Sequence, residues 1–179
     1  MTFVRKFYIS DTHFLHTNII AMQPRPFSSI EEHDEHLIRA WNSVVGLHDI
    51  VYHLGDFAFS LVEKADRIRW IFSRLNGRKY LTYGNHDLRN GELHPTIADL
   101  PWAARPEGYL FVEDESGQKI VLSHYAQRSW QWQQKGGFHF YGHAHGQLTG
   151  VGRSRDVGVD LTDVAFTPRR FRELTQGMK

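Results

Sequence analysis

The chain has no cysteine. This excludes a disulfide framework and any thiolate metal site, so a bound metal would have to be held by nitrogen and oxygen donors. It also has no apolar run near the ~20 residues of a membrane helix. Its start, Met1-Thr2-Phe3-Val4-Arg5-Lys6, lacks the apolar core of a secretory signal. A cytoplasmic location with no membrane partner is the expectation. Charge of one sign is scarce too, and a formal net charge of +1 gives no molecule-wide field to gather nucleic acid or anionic lipid. Low-complexity tracts, internal repeats and linkers are missing. The 179 residues, 41% hydrophobic and 23% charged, read as a single domain spanning 1–179. What the chain has in surplus is histidine, with twelve residues.

Hydrophobic patterning sets the framework. Residues 3–9, 49–54 and 78–82 read as strands. Between them, Ile30, Leu37, Trp41 and Val44 or Val45 recur at helical spacing over 29–45, where Ser28-Ser29 and Glu31-Glu32 form a capping-box pattern. Ala65, Ile68, Ile71 or Phe72, and Leu75 mark a second helix over 62–75, with Gly77 as its stop. This alternation predicts α/β layering with a parallel element. In the second half, strands at 109–113 and 119–123 flank Asp114-Glu115-Ser116-Gly117 as a hairpin, and short strands follow at 138–141 and 156–160. From the pattern alone, a mixed sheet or two sheets packed face to face is expected.

Metal-ligating residue types follow these strands repeatedly. They are Asp11-Thr12-His13, Gly55-Asp56, Gly84-Asn85-His86-Asp87, His124, and the run Tyr141-Gly142-His143-Ala144-His145. Carboxylate, amide and imidazole groups are thereby delivered to one edge of a sheet. Two metals roughly 3.5–4 Å apart can acidify a shared water and clamp the oxygens of a phosphoryl group, so hydrolysis of a phosphate ester leads the functional readings. Asp56, central in the order, suits a bridge between two ions. The Asp, His and Asn donors suit manganese, iron or zinc better than calcium. Gly55, Gly84 and Gly142 stand before ligands at tight turns, where a side chain or a negative φ would misdirect the next residue.

Singly these motifs are weak, but in this order, each after a strand, they resemble the calcineurin-like metallophosphoesterase family in its small bacterial and phage form. The resemblance runs from residue 4 to about 168. It extends to His16, Asn18-Ile19-Ile20, Arg25-Pro26-Phe27 and Tyr52-His53-Leu54-Gly55-Asp56-Phe57. The resemblance implies a four-layer α/β/β/α sandwich of two mixed sheets flanked by helices. It also implies two divalent or trivalent ions, with manganese the metal of choice in assays. Asp11, His13 and His145 would bind one ion, Asn85, His124 and His143 the other, and Asp56 both. His86 would face the substrate, and Asp87 would orient His86 by accepting its hydrogen bond. Ala126 stands where small relatives often carry proline, and no ligand position is lost by it.

The expected substrate is a small phosphate ester, with diesters, cyclic nucleotides among them, ahead of monoesters. The sequence leaves the oligomeric state open. One rival reading is a metal-stabilised scaffold for protein partners, which has no use for His86. Another is a nuclease, which calls for a basic groove with aromatic platforms. His16 can touch substrate phosphate or cap the following helix. His53 reads as buried structure, while His33, His36, His48, His94 and His139 read as surface or packing residues. Trp130 and Trp132 read as filling a shallow core. Arg25, Arg89, Arg128 and Arg153 are all placed where they could reach a phosphate.

Overall fold

A computed structural model describes residues 4–178. In chain order it contains β1 (Lys6–Ile9), a helical turn α1 (Ile19–Met22), α2 (Ile30–Val44), β2 (Ile50–His53), α3 (Ala65–Arg74) and β3 (Arg78–Leu81). A small hairpin, β4 (Leu88–Arg89) and β5 (Glu92–Leu93), leads to α4 (Pro95–Ala98). Then come β6 (Tyr109–Glu113), β7 (Lys119–Ser123), β8 (Phe138–Tyr141), β9 (Ser154–Asp156), β10 (Arg169–Arg170) and α5 (Phe171–Leu174). The long helix starts where its cap lies, since Ser29 Oγ accepts the Glu32 N–H at 3.2 Å and the Glu32 carboxylate in turn accepts from Ser28. The second helix is shorter than its periodicity suggests, because residues 61–64 form a turn before it. Residue 3, the expected start of the first strand, falls outside the described residues.

Two four-stranded sheets lie face to face, with strand orders β10-β1-β2-β3 and β6-β7-β8-β9. In each, three strands run parallel and an edge strand is antiparallel. Period-two alternation sends Phe7, Ile9, Val51 and Leu81 to one face of the first sheet, against Leu37, Ile38 and Trp41 of α2 and Ile68, Ile71 and Phe72 of α3. Tyr8 and Tyr52 point the other way and meet Ile120, Leu122, Phe138 and Phe140 of the second sheet. Each such fully buried side chain contributes roughly 1.5–3 kcal/mol. The α/β sandwich is therefore present, with its fourth layer thin. The outer face of the second sheet is covered by the 125–137 loop, where Trp130 packs on His139 at 5.5 Å between ring centroids.

Register places the site. Ile9, His53 and Leu81 lie abreast across β1, β2 and β3, so all three strands end at one edge. Strands β7, β8 and β9 end at the corresponding edge of the second sheet. The segment after β9 departs from the expected strand over 156–160. It leaves β8 after Asp156 and crosses to the first sheet, where Gly158 bridges Ser10 and the Val159 N–H donates to the Ser10 carbonyl at 3.1 Å. This crossing closes one end of the sandwich beside the loops that carry the candidate ligands.

Candidate metal site at the converging strand ends

Asp11, His13, Asp56, His143 and His145 all have positive φ, between 47° and 65°. A non-glycine residue in the left-handed region costs on the order of 1–3 kcal/mol, and the cost persists only where the surroundings enforce it. Here the loops brace one another. The N–H groups of Asp11, His13 and Phe14 donate to the carbonyls of Gly55, Asp56 and Phe57 at 3.0–3.1 Å. Close approach also explains two glycines. A Cβ at Gly84 would lie 2.2 Å from Asp56 Oδ1, and one at Gly142 would lie 1.9 Å from Ser10 Oγ.

Asp87 corrects a sequence expectation. Its buried carboxylate accepts the N–H groups of Asp56 and Gly84 at 2.8 Å and of Phe57 at 3.1 Å, and no hydrogen bond joins it to His86. The reason is local geometry. Asn85–Asp87 is a 3₁₀ turn, in which successive side chains point about 120° apart, so neighbours in sequence face different sides. Asp87 ties the Asp56 loop to the Gly84 loop.

The six other expected ligands come together around Asp56. Asp11, His13 and His145 form one group able to hold a cation, Asp56, His124 and His143 form a second, and His13, Asp56 and His86 form a third. Asp56 Oδ2 lies 3.4 Å from His124 Nε2 and 3.6 Å from His13 Nε2. Asn85 Oδ1 lies 3.3 Å from His124 Nε2. His86 stands beside them, half-exposed, with Nε2 4.0 Å from Asp56 Oδ2.

Protonation fits a cation-binding role. Burial pushes the Asp56 carboxyl up. The hydrogen bond and charge of His124, aided by His13 and by the His86 N–H, outweigh it and hold Asp56 well below the usual carboxylate range. Burial pushes Asp11 up to about 6 and drives the His13 imidazole down to about 2, leaving it a neutral donor. Among the described residues, the ion-pair partners of Asp56 are all histidines. His13 Nε2 is buried with no hydrogen-bond partner. An orphaned imidazole nitrogen beside two buried carboxylates is the arrangement that a bound cation relieves. Nitrogen and oxygen donors of this mix suit manganese, iron or zinc.

Supporting contacts fix which ring nitrogen faces the centre. The His124 Nδ1–H donates to the Leu54 carbonyl at 2.8 Å, and the His145 Nδ1–H donates to Asp160 Oδ2 at 2.7 Å. Burial pulls both rings down, but hydrogen bonds and charge from the neighbouring carboxylates outweigh it, raising His124 to about 9 and His145 above its usual value, so a cation would take the place of the Nε2 proton. Asp160 is held in turn by Arg25, whose Nε and Nη2 donate to its two oxygens at 2.7 and 2.8 Å. Arg25, itself buried, also donates to the carbonyls of Asp11 and Thr12 and to His33 Nε2. Since His33 Nε2 accepts, its Nδ1–H donates to Asp34. A polar chain thus runs from the buried Asp34, His33 and Arg25 to the partly buried Asp160 and His145.

Arg25 is consequently no free phosphate ligand, and Arg153 is engaged with the Gly136 carbonyl. Arg89 and Arg128 are exposed. His16 is buried, stacks on Phe59 at 4.0 Å, and shares a hydrogen bond between its Nδ1 and that of His13 at 3.1 Å. His53 is buried against Thr12 Oγ1, as its place in the strand implies. Trp130 fills the thin layer and Trp132 is half-buried beside it. The sequence reading missed Asp160 and Tyr125. Asp160 carried a usable signal, an aspartate closing the apolar run Val157-Gly158-Val159, as Asp11 and Asp56 close theirs. Tyr125 directs its hydroxyl to Asn85 Oδ1 at 3.3 Å and its ring to His143 at 4.6 Å.

Comparison with known proteins finds likenesses of sequence and of fold. No family model matches the chain. An uncharacterized protein of Methanocaldococcus jannaschii is 51% identical over 85 residues, 47% of this chain and 48% of that protein. The match thus spans about half the length of that relative. A crystal structure of a protein of unknown function from Aquifex aeolicus superposes with a TM-score of 0.71 at 25% identity, over 97% of this chain and 99% of that one. The fold is shared across its whole length. An archaeal phosphodiesterase is a more distant likeness, with a TM-score of 0.49 and 22% identity over 86% of this chain and 81% of the other.

Proposed function

We propose that the chain is a metal-dependent phosphoesterase of the calcineurin-like kind, hydrolysing small phosphate esters with diesters ahead of monoesters. The observation that carries this reading is the position of Asp56. One carboxylate oxygen lies within 3.6 Å of imidazole nitrogens from two separate ligand groups, with a third imidazole, His86, alongside. Asp11, His13 and His145 would hold one ion, and Asn85, His124 and His143 the other, with Asp56 between them. Two such cations supply an acidified water and neutralise phosphoryl charge. His86, half-exposed and hydrogen-bonded to none of the ligands through its ring, would give a proton to the departing oxygen. Arg25 and Asp160 aim His145.

The direct test is a substrate panel of bis-p-nitrophenyl phosphate, p-nitrophenyl phosphate and cyclic nucleotides. Protein stripped by chelator should be inactive, and manganese should restore turnover with the diester ahead of the monoester. Turnover that persists after exhaustive chelation would falsify the reading. The supporting chain gives a second expectation. Asp160→Ala leaves His145 Nδ1 and Arg25 without their shared partner, so manganese affinity should fall roughly 10–100-fold, the usual loss for such a supporting group. Titration calorimetry on the variant reads this directly, and unchanged affinity would remove Asp160 from the site.

A further inference from the structure

A cleft opens from the candidate metal site and runs beneath the β4–β5 hairpin. Its near part, about 480 Å³, begins at Asn85 and His124 and is walled by Tyr83, Tyr109 and Tyr125. Tyr83, Leu88 and Gly91 also line an adjacent cavity of about 810 Å³ that carries Glu92, Arg105 and Glu107. The near volume lies in the range of ligand pockets, roughly 300–1,000 Å³. Its floor is kept open by Gly108, where a Cβ would stand 3.1 Å from the Tyr83 hydroxyl. Tyr109 and Tyr125 are 57% and 52% exposed, so two large rings face solvent at its mouth.

Two properties of this lining select an occupant. First, the near part contains no Lys, Arg, Asp or Glu. Within the near part it offers no charged partner to a second phosphate, which leaves the anionic group at the metal-ligating end. Second, three tyrosines line it, Tyr109 and Tyr125 with more than half of their surface exposed, and aromatic rings are the surfaces on which planar rings stack. We infer that one ester substituent of the substrate is a neutral planar ring, carried by a nucleoside or an aryl alcohol, seated among Tyr83, Tyr109 and Tyr125 while its phosphate lies at Asn85 and His124. This rests on the phosphoesterase reading and narrows its substrate class.

Three five-membered cyclic phosphodiesters share one reacting ring and differ in what it bears. They are ethylene cyclic phosphate, the cyclic phosphate of phenylethane-1,2-diol, and 2′,3′-cyclic AMP. With manganese-loaded protein, kcat/KM measured by phosphorus NMR should be about tenfold or more higher for a ring-bearing ester than for the bare one, as expected for one stacked ring. Whether the phenyl or the adenosine ester leads identifies the source of the ring. In the Tyr83→Leu/Tyr109→Ala double variant the advantage should collapse towards one. Equal efficiency on all three esters, or an advantage that survives the double variant, overturns the inference while leaving the phosphoesterase reading intact. Hydrolysis of none of them counts against that reading instead. Saturation-transfer NMR with 2′,3′-cyclic AMP tests the cleft independently of turnover. Transfer to the base protons, lost in the double variant, supports the inference, and its absence in the wild type overturns it.

Discussion

Asp56→Asn should deplete both halves of the site at once. Asparagine keeps the Oδ1 acceptor that receives the His86 N–H at 2.9 Å, so the loop should hold its shape. What is lost is the charge. The Asp56 carboxyl is held well below the usual carboxylate range, with His124, His13 and His86 around it. On the proposed two-ion reading, losing this carboxylate should cost more affinity than the roughly 10–100-fold of a supporting partner. Metal analysis after reconstitution should find about two ions per chain in the wild type and far fewer in the variant, with turnover lost in parallel and the circular dichroism spectrum unchanged. Wild-type protein that binds a single ion, unaffected by the substitution, would sink the bridging role.

His86→Ala should behave in the opposite way. Its ring makes no hydrogen bond to a ligand and stands 4.0 Å from Asp56 Oδ2, so metal content and fold should survive its removal. Loss of a positioned proton donor typically costs 10²–10⁴-fold, or roughly 3–5 kcal/mol of barrier. The loss should shrink for p-nitrophenyl esters, whose leaving oxygen needs little protonation, and should be full for an alkyl ester. His124→Ala and His143→Ala should instead shed metal and damage every substrate alike. Bound metal together with kcat/KM on an activated and an unactivated ester separates these outcomes. A His86→Ala protein that loses metal as His143→Ala does would make His86 a ligand.

What the sequence revealed and what it hid divide along a physical line. Ligand candidates were legible because each follows a β-favouring run, and the parallel register of β1, β2 and β3 carries those run-ends to one edge. The helix over 30–44 was legible from its cap and period. Arg25 was misleading because its role depends on a partner 135 positions away, and an arginine in a proline-bearing loop looks solvated. Asp87 misled for the opposite reason: adjacency to His86 suggested contact, and the tight turn at 85–87 faces the two side chains apart. The 156–160 run has strand composition, yet it leaves β8 to bridge Ser10. A preference for extended backbone does not say which sheet will accept it.

The left-handed turns at the ligand positions set heat resistance against chemistry. At His143, exposed and at φ 65°, glycine would relieve the backbone and discard an imidazole together. His143→Gly should therefore raise the stability of the metal-free chain by about 1 kcal/mol, an increase of ~2–4 °C in Tm for a protein of this size. Laboratory evolution for thermostability alone should reach this replacement early, and it would leave a hardier protein with one ligand candidate fewer. Selection on turnover has to oppose that drift continuously, because the fold does not reward the residues that would do the work.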